Sequence, residues 1–187
     1  MAKDKFEDAM REAIVSLPQD MKAMLRIVED PDLDDDGRTL AAGALIHVLS
    51  VSNTIPGQRG LLAYLDDVIV LRLVLERLQK QAPDVMKRHS EESPELMGPL
   101  EDQMAAVRGY LGELLQVLDK AVDELPKLNH HGHSARDCAR DEEASTWLYD
   151  AVHEALLVDL EFDEDDVARE LKQVDRIKRP LEQRLQS

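Results

Sequence analysis

The chain has 187 residues, of which 43% are hydrophobic, 33% are charged and only 3% are aromatic. This composition is typical of one globular, helix-rich domain and excludes a disordered or collagen-like chain. The formal net charge of −16 gives a surface that repels phosphate backbones and anionic lipid headgroups, so neither nucleic acid nor membrane is an expected partner.

The first thirty residues carry two apolar stripes at helical spacing. The first stripe is Phe6, Met10, Ala13, Ile14 and Leu17, and the second is Met21, Met24, Leu25 and Val28. Pro18 and Pro31 follow the two stripes, and proline ends a helix because it lacks the backbone N–H and clashes with the preceding turn. The sequence therefore predicts two short opening helices.

Two strongly apolar segments come next, at residues 40–51 and 61–78. Three aspartates at 34–36 precede the first segment, where carboxylates cap a helix and interact well with its dipole. A helix that is apolar on all sides belongs in the interior. We therefore predict a buried central helical hairpin, with a break at residues 53–57.

The second half of the chain predicts a polar connection and then further helices. Residues 82–99 are polar and contain three prolines, which indicates a surface connection. From Met97 to Leu128, apolar residues recur in steps of three and four, a heptad seam that predicts one long helix. The seam could pack within its own chain or against a second copy, and intrachain packing is favoured because later helices also need a partner. A helix at 144–158 and a last helix at 167–185, started by carboxylates at 163–166, complete the pattern.

These patterns predict an all-α fold, a single-domain bundle of about seven helices over residues 1–187. Residues 30–78 form its hairpin core and residues 97–187 supply the C-terminal helices. The single cysteine, Cys138, excludes an intramolecular disulfide and fits a reducing compartment. The charged start at 1–6 and the lack of a long apolar run predict neither a secretory signal nor a membrane span, so we expect a cytoplasmic protein.

One motif lies at the break between the two central helices. The chain reads Leu-Ser-Val-Ser-Asn-Thr-Ile-Pro at 49–56 and Leu-Asp-Asp-Val at 65–68. This pattern resembles the YkvA-like domain-of-unknown-function family, in which a helix ends in Pro-Ile-Asp-Leu-Ile-Pro-Asp and a Gly-aromatic-Leu-Asp-Asp stretch begins the next helix. The matching residues are Ile55, Pro56, Tyr64, Leu65, Asp66 and Asp67. The resemblance covers about residues 30–78, with Asp30 and Pro31 at the family's upstream turn.

The chain also departs from the family pattern. Asn53 stands where the family usually has Asp, Val51 replaces the first Pro, Gly57 replaces the Asp after the second Pro, and Ala63 replaces the Gly. If the family's acidic positions form a polar site, two of four are neutral here. The resemblance implies no enzymatic activity. Because many members look membrane-associated, it leaves a peripheral membrane-associated protein as an alternative.

The aspartate pair has a structural interpretation of its own. At about 100° per residue, Asp67 lies on the same side of its helix as Leu71 and Val74, so its carboxylate faces apolar neighbours and needs donors. We expect Asp66 and Asp67 to accept hydrogen bonds from backbone N–H groups at 53–57 and so to fix the hairpin angle. A metal site built on the pair is the alternative. His47, on the buried helix, is either a buried switch or a core histidine with a satisfied ring.

A second candidate metal site is the loop that contains His130, His131, His133 and Cys138. Structural zinc sites usually show two pairs of ligands, whereas these residues share one polar loop, so a solvated loop is favoured. Arg136 and Arg140 flank Cys138 and would favour its thiolate. A nucleophile also needs a base and an oxyanion site, and neither is evident.

Two other motifs fail at a defining position. Asp32, Asp34, Asp36 and Gly37 reproduce the first half of a calcium loop, but Gly43 stands where the bidentate Glu is required. His153 and Glu154 do not continue into H-E-x-x-H. Helix capping is the favoured role of the acidic group.

The sequence therefore favours a non-enzymatic helical domain that acts as a protein-interaction or structural module. Its partner is an unknown protein or itself, as a possible homodimer, and no cofactor is indicated. The rival is a metal-binding protein or metal-dependent hydrolase that uses the 130–138 loop or the Asp66 and Asp67 pair.

Overall fold

The computed structural model describes residues 1–50, 54–158 and 160–187, and most of this part of the chain is helical. The helices are α1 (Ala2–Val28), α2 (Asp35–Leu49), α3 (Leu65–Gln81), α4 (Pro83–Glu92), α5 (Pro94–Met97), α6 (Leu100–Leu111), α7 (Leu115–Glu124), α8 (Ala135–Arg140), α9 (Glu142–Val158), α10 (Glu164–Leu171) and α11 (Lys178–Gln186). Short 3₁₀ turns lie at Gly60–Tyr64, Gly112–Leu114, Leu125–Lys127 and Val174–Ile177. Two-residue strands, β1 (Asn129–His130) and β2 (His133–Ser134), pair antiparallel. The predicted all-α bundle is confirmed, with more and shorter helices than the seven expected.

The first helix runs through the proline that was expected to end it. Pro18 lies inside α1, and buried residues continue along the same face from Leu17 to Met21. An interior proline costs a helix about 3 kcal/mol. Burial of both apolar stripes along one continuous helix offsets that cost, so the prediction of two opening helices is wrong.

The buried central hairpin is present as predicted. Asp34 caps α2, its carboxylate accepting a hydrogen bond of 2.7 Å from the Gly37 N–H. Helix α2 packs against α1, α3 and α8, and α3 packs against α2 and α7. Polar residues on so buried a pair of helices must find partners within the protein.

Residues 82–99 form helices rather than a surface connection. Pro83 and Pro94 occupy the first turns of α4 and α5, where a missing N–H costs nothing. Met86 and Leu96 are buried in the core. The polar composition and the prolines obscured these apolar anchors in the sequence.

The heptad seam is buried within its own chain, but the helix that carries it is broken. Gly112 has a φ of 53°, in the left-handed region, and separates α6 from α7. Helix α6 packs on α1 and α7 packs on α3. The break lets one seam contact two different partners, which the spacing of apolar residues alone does not indicate.

The C-terminal part also contains more breaks than expected. The predicted loop at 130–137 forms the β1–β2 hairpin and the start of α8, and its turn has positive φ at His131 and Gly132. The predicted last helix is divided into α10 and α11, and Pro180 lies in the first turn of α11, where proline is tolerated. Asp163 caps α10 as expected. Of the helices that the structure describes, none combines the length and the apolar character that a bilayer crossing requires.

Candidate metal centre

Two carboxylates and an imidazole meet where the central hairpin closes. His47 lies in the last turn of α2, and Asp66 and Asp67 lie in the first turn of α3. The three residues are only 6%, 1% and 6% exposed, respectively. The C-terminal end of α2 and the N-terminal end of α3 thus meet at the cluster. The dipoles of these ends favour a cationic histidine on α2 and carboxylates on α3.

The closest contact of the cluster joins His47 to Asp67. Nδ1 of His47 lies 2.8 Å from Oδ1 of Asp67. The contact lacks the alignment of a hydrogen bond, and neither atom has an aligned partner among the described residues. Two buried polar atoms therefore attract each other by charge but have no hydrogen bond. Buried polar atoms without a hydrogen bond are rare in protein cores.

Asp66 accepts backbone hydrogen bonds. Its Oδ2 accepts from the Thr54 N–H at 2.7 Å and its Oδ1 from the Asp67 N–H at 3.0 Å. The Nε2 atom of His47 lies 3.1 Å from the Thr54 hydroxyl oxygen and 3.8 Å from Oδ2 of Asp66. Asp66 thus has the backbone partner expected for it, whereas Asp67 contacts His47 instead. Asn53 lies outside the described residues.

Burial and mutual charge disturb the protonation of all three groups. Burial raises the pKa of Asp67 to about 7, since the charge of Asp66 adds to its effect and His47 only partly opposes it. Burial also raises the pKa of Asp66, against the opposing effects of His47 and the Thr54 N–H. Burial opposes protonation of His47, but the two carboxylates outweigh it and raise the pKa of His47. All three groups of the cluster therefore hold a proton more tightly than they would in water.

The same three side chains form a possible set of metal ligands. Each offers one ligand atom, and these atoms all lie within 4.8 Å of one another, a condition that no other group of His, Cys, Asp and Glu meets in the described part of the chain. Metal–ligand bonds of about 2.0–2.2 Å place ligand atoms about 3–4 Å apart. A small closing movement of the side chains would therefore bring all three onto one ion.

The cluster is not sealed from solvent on the His47 side. His47 and Thr54 line a pocket of about 620 Å³ that is bordered by α7 and the end of α11. An ion at the cluster would therefore be close to a space that can admit a ligand.

The histidine loop, considered as a metal site from the sequence, does not gather its candidate ligands into one group in the structure. His130 and His133 are paired across β1 and β2, and the His133 ring stacks on Trp147 with ring centroids 4.3 Å apart. His131 lies in the turn and packs edge-on to His130. Together with Cys138, these residues do not bring three ligand atoms within 4.8 Å of one another. The hairpin geometry spreads the side chains apart.

Cys138 has none of the properties of a reactive thiol. It is 1% exposed on α8, and burial together with Asp137 raises its pKa to about 11. Arg140, expected to favour the thiolate, instead makes an ion pair of 3.1 Å with Asp35. The thiolate expected from the flanking arginines is therefore disfavoured.

The remaining motif residues have structural positions. Ile55 is buried in the core, and Pro56 is exposed on the connection. The Tyr64 ring meets Phe162 edge-on, with centroids 5.0 Å apart. These residues position the start of α3, and with it the aspartate pair.

The acidic group before α2 serves capping and ion pairing. Asp34 caps α2, and Asp32 accepts a hydrogen bond of 2.9 Å from Arg88. Asp30 is 2.7 Å from Nε2 of the buried His89. In this second histidine–aspartate pair the close contact is a hydrogen bond, and the other carboxylate near His89, that of Glu92 at 3.8 Å, is half-exposed, in contrast to the cluster of His47.

Comparison of the chain with family models, curated proteins and solved structures finds no match. Functional inference therefore rests on the geometry of His47, Asp66 and Asp67 and of the pocket beside them. Residue spacing alone could not have found this set, because His47 is separated from the aspartates by a whole connection. The one signal was a histidine on a helix that is otherwise apolar on all sides.

Proposed function

We propose that the protein is a divalent-metal-binding helical domain, whose ion is held by His47, Asp66 and Asp67. The observation that carries the proposal is the unaligned contact between Nδ1 of His47 and Oδ1 of Asp67, two buried atoms without another aligned partner in the described chain. Ligand atoms that surround one ion point at the ion rather than along a hydrogen bond to each other. An ion would thus satisfy both atoms at once.

Charge balance supports the same proposal. Two ionised carboxylates carry a charge of −2, which a divalent cation neutralises while His47 stays a neutral ligand. Without an ion, protons can supply the missing charge: burial, with the charge of Asp66, raises the pKa of Asp67, and the two carboxylates raise the pKa of His47. A site with one imidazole and two carboxylates suits Mn²⁺, Fe²⁺ or Zn²⁺ better than Ca²⁺, which prefers oxygen ligands alone.

Three protein ligands leave at least one coordination position for water or a ligand, as in catalytic rather than structural zinc sites. The metal-dependent hydrolase considered from the sequence would use this position. We propose metal binding alone, without assigning a reaction to the site.

Calorimetric titration of metal-stripped protein with Mn²⁺ and with Zn²⁺ at pH 8 tests the proposal. We expect one equivalent to bind, and Asp67→Asn to weaken binding at least about tenfold, since loss of an outer partner of a metal ligand alone costs that much. Asparagine resembles the protonated acid in shape, so the variant should fold, which circular dichroism checks. Asp30→Asn in the other histidine–aspartate pair is the matched control and should keep full affinity. Failure of the wild type to bind either ion, or equal binding by Asp67→Asn, overturns the proposal.

The protein-interaction role is the second candidate, and exposed apolar side chains on α9 favour it. Leu157 and Val158 are 88% and 72% exposed at adjacent positions. Large exposed apolar groups that adjoin each other are typical of contact surfaces. Light scattering across a concentration range tests self-association through this surface. A dimer that becomes monomeric on Leu157→Glu supports it, and a wild-type monomer at every concentration overturns it.

We further propose that the protein is cytoplasmic. We also propose that it is related to the YkvA-like family. The single, buried cysteine supports a reducing compartment. The motif residues Ile55, Asp66 and Asp67 support the resemblance, because they occupy the hairpin closure that the family pattern marks.

A further inference from the structure

The pocket beside the proposed metal centre has basic residues at its border and an apolar wall. Lys120, on α7, and Arg184, on α11, both exposed, contribute to its lining, and His47 and Thr54 line it beside the metal ligands. The apolar lining residues are Val117, Ala121, Leu125 and Leu128. A pocket of about 620 Å³ is within the range of small-molecule sites, about 300–1,000 Å³.

The two basic side chains are available to a ligand. Neither Lys120 nor Arg184 makes an ion pair with a described residue, although the chain has 39 acidic residues against 23 basic ones. Glu124 is the acidic side chain in the lining, and Lys127 lies 3.3 Å from it. Glu124 therefore has a cationic partner of its own, separate from Lys120 and Arg184.

Resting on the proposed metal centre, we propose that this pocket binds a small phosphorylated ligand. A phosphoryl oxygen would take the open position of the ion, while Lys120 and Arg184 bind the remaining oxygens. The apolar wall would contact the organic part of the ligand. A polyanion is excluded by the net charge of −16, which repels a long phosphate backbone outside the pocket.

Phosphate suits this arrangement better than a carboxylate does. A phosphate monoester carries nearly two charges at neutral pH and three acceptor oxygens, enough for one ion and two cationic side chains at once. A carboxylate has one charge and two oxygens. The two basic side chains and the ion together therefore favour a phosphate over a carboxylate.

The test is calorimetric titration of Mn²⁺-loaded protein with pyrophosphate, and with malonate for comparison. The variant Lys120→Ala/Arg184→Ala is expected to bind pyrophosphate about tenfold more weakly, since each lost charge-assisted hydrogen bond contributes to affinity. Its Mn²⁺ affinity should be unchanged. The control Lys80→Ala/Arg179→Ala removes the same charge from exposed positions outside the pocket lining and should bind pyrophosphate like the wild type.

The outcomes separate this inference from the proposed function. Mn²⁺ binding without pyrophosphate binding, or equal pyrophosphate affinity in the pocket variant and the control, overturns the phosphate pocket and leaves the metal centre standing. Malonate binding as tight as pyrophosphate binding also overturns the phosphate assignment. Pyrophosphate binding that needs Lys120 and Arg184 but is equally tight in metal-stripped protein overturns the part of the inference that gives the ion a role in this pocket. Absence of both kinds of binding overturns both.

Discussion

The guanidinium of Arg72 lies in the core, with its side chain 1% exposed, and its Nη2 donates a hydrogen bond of 3.0 Å to Oδ2 of Asp20. Its Nε donates to the side-chain oxygen of Gln103 at 2.6 Å, and its Nη1 donates to the Val68 carbonyl. One side chain of α3 thus connects α1 and α6. In a buried pair of this kind, each charge is tolerated only while its partner is present.

Asp20→Ala is expected to lower the free energy of unfolding by about 3–5 kcal/mol, because the change leaves the charge of Arg72 buried and unpaired. Urea denaturation followed by circular dichroism measures the effect. The matched control is Asp123→Ala, which removes an exposed partner of Arg77 with a contact of 2.7 Å. Exposed pairs contribute about 0–1 kcal/mol. If both variants lost the same free energy of unfolding, the buried pair would contribute no more to stability than the exposed pair.

The raised pKa values at the hairpin closure predict how stability depends on pH. Asp67 has a pKa of about 7 in the folded protein against 3.8 ordinarily, so the folded state binds its proton more tightly than the unfolded state does. The stability gained by protonation is complete below the unfolded value and is lost as the pH rises through about 7. The pKa of His47 is also raised, and its effect has the same sign. The melting temperature of metal-free protein is therefore expected to fall from pH 6 to pH 8.

Asp67→Asn separates this local effect from general repulsion in an acidic chain. The variant keeps the shape of the protonated acid but cannot ionise, so its melting temperature should change less between pH 6 and pH 8. Differential scanning calorimetry of both proteins in matched buffers gives the comparison. A wild type and variant with parallel pH profiles would show that Asp67 does not ionise in this range.

Apolar periodicity predicts the helices well where burial alone decides the structure. The hairpin of α2 and α3 follows from two segments that are apolar on every side, and the capping role of Asp34 follows from its place before the first of them. The face that Asp67 occupies could also be calculated from the helical period. These properties depend on residues that are close in the chain, so they can be predicted from the sequence.

The partners of those residues depend on contacts between distant parts of the chain. The Asp67 side chain needed a partner on any interpretation, but only the packing of α2 on α3 selects His47 over the backbone of the connection. Gly112 likewise interrupts a regular seam, because the two halves of that seam pack on different helices. The partner of Asp67 and the helix break at Gly112 both depend on tertiary contacts, so they cannot be predicted from residue spacing.

Cys138 is expected to react slowly in the folded protein. Burial and Asp137 raise its pKa to about 11, against an ordinary value of 9.0, so its thiolate fraction near pH 8 is about a hundredfold smaller than that of a free thiol. A thiol-reactive chromogenic disulfide measures the rate with and without denaturant. We expect one thiol to be released rapidly only after unfolding. Rapid reaction of the native protein would contradict the raised pKa and would indicate that Arg136 and Arg140 favour the thiolate.

Two glycines in helices should respond oppositely to alanine. A Cβ on Gly43 of α2 would lie 2.7 Å from the Leu125 carbonyl oxygen and 2.8 Å from the Leu125 Cβ, so backbone would have to move. A Cβ on Gly109 of α6 would meet nothing within 4 Å. Gly109→Ala is therefore expected to stabilise the protein by about 0.5–1 kcal/mol through helix propensity.

Gly43→Ala is expected to destabilise it by about 1–3 kcal/mol, as overpacking of a core does. Urea titrations of both variants measure the two signs, and a stabilising Gly43→Ala would contradict the close approach of α2 to the turn at Leu125–Lys127. That approach also matters for the site, because His47 follows Gly43 by one helical turn and Leu125 lines the same pocket as His47. A larger side chain at position 43 is therefore expected to disturb both the stability of the protein and the Mn²⁺ affinity of the proposed metal centre.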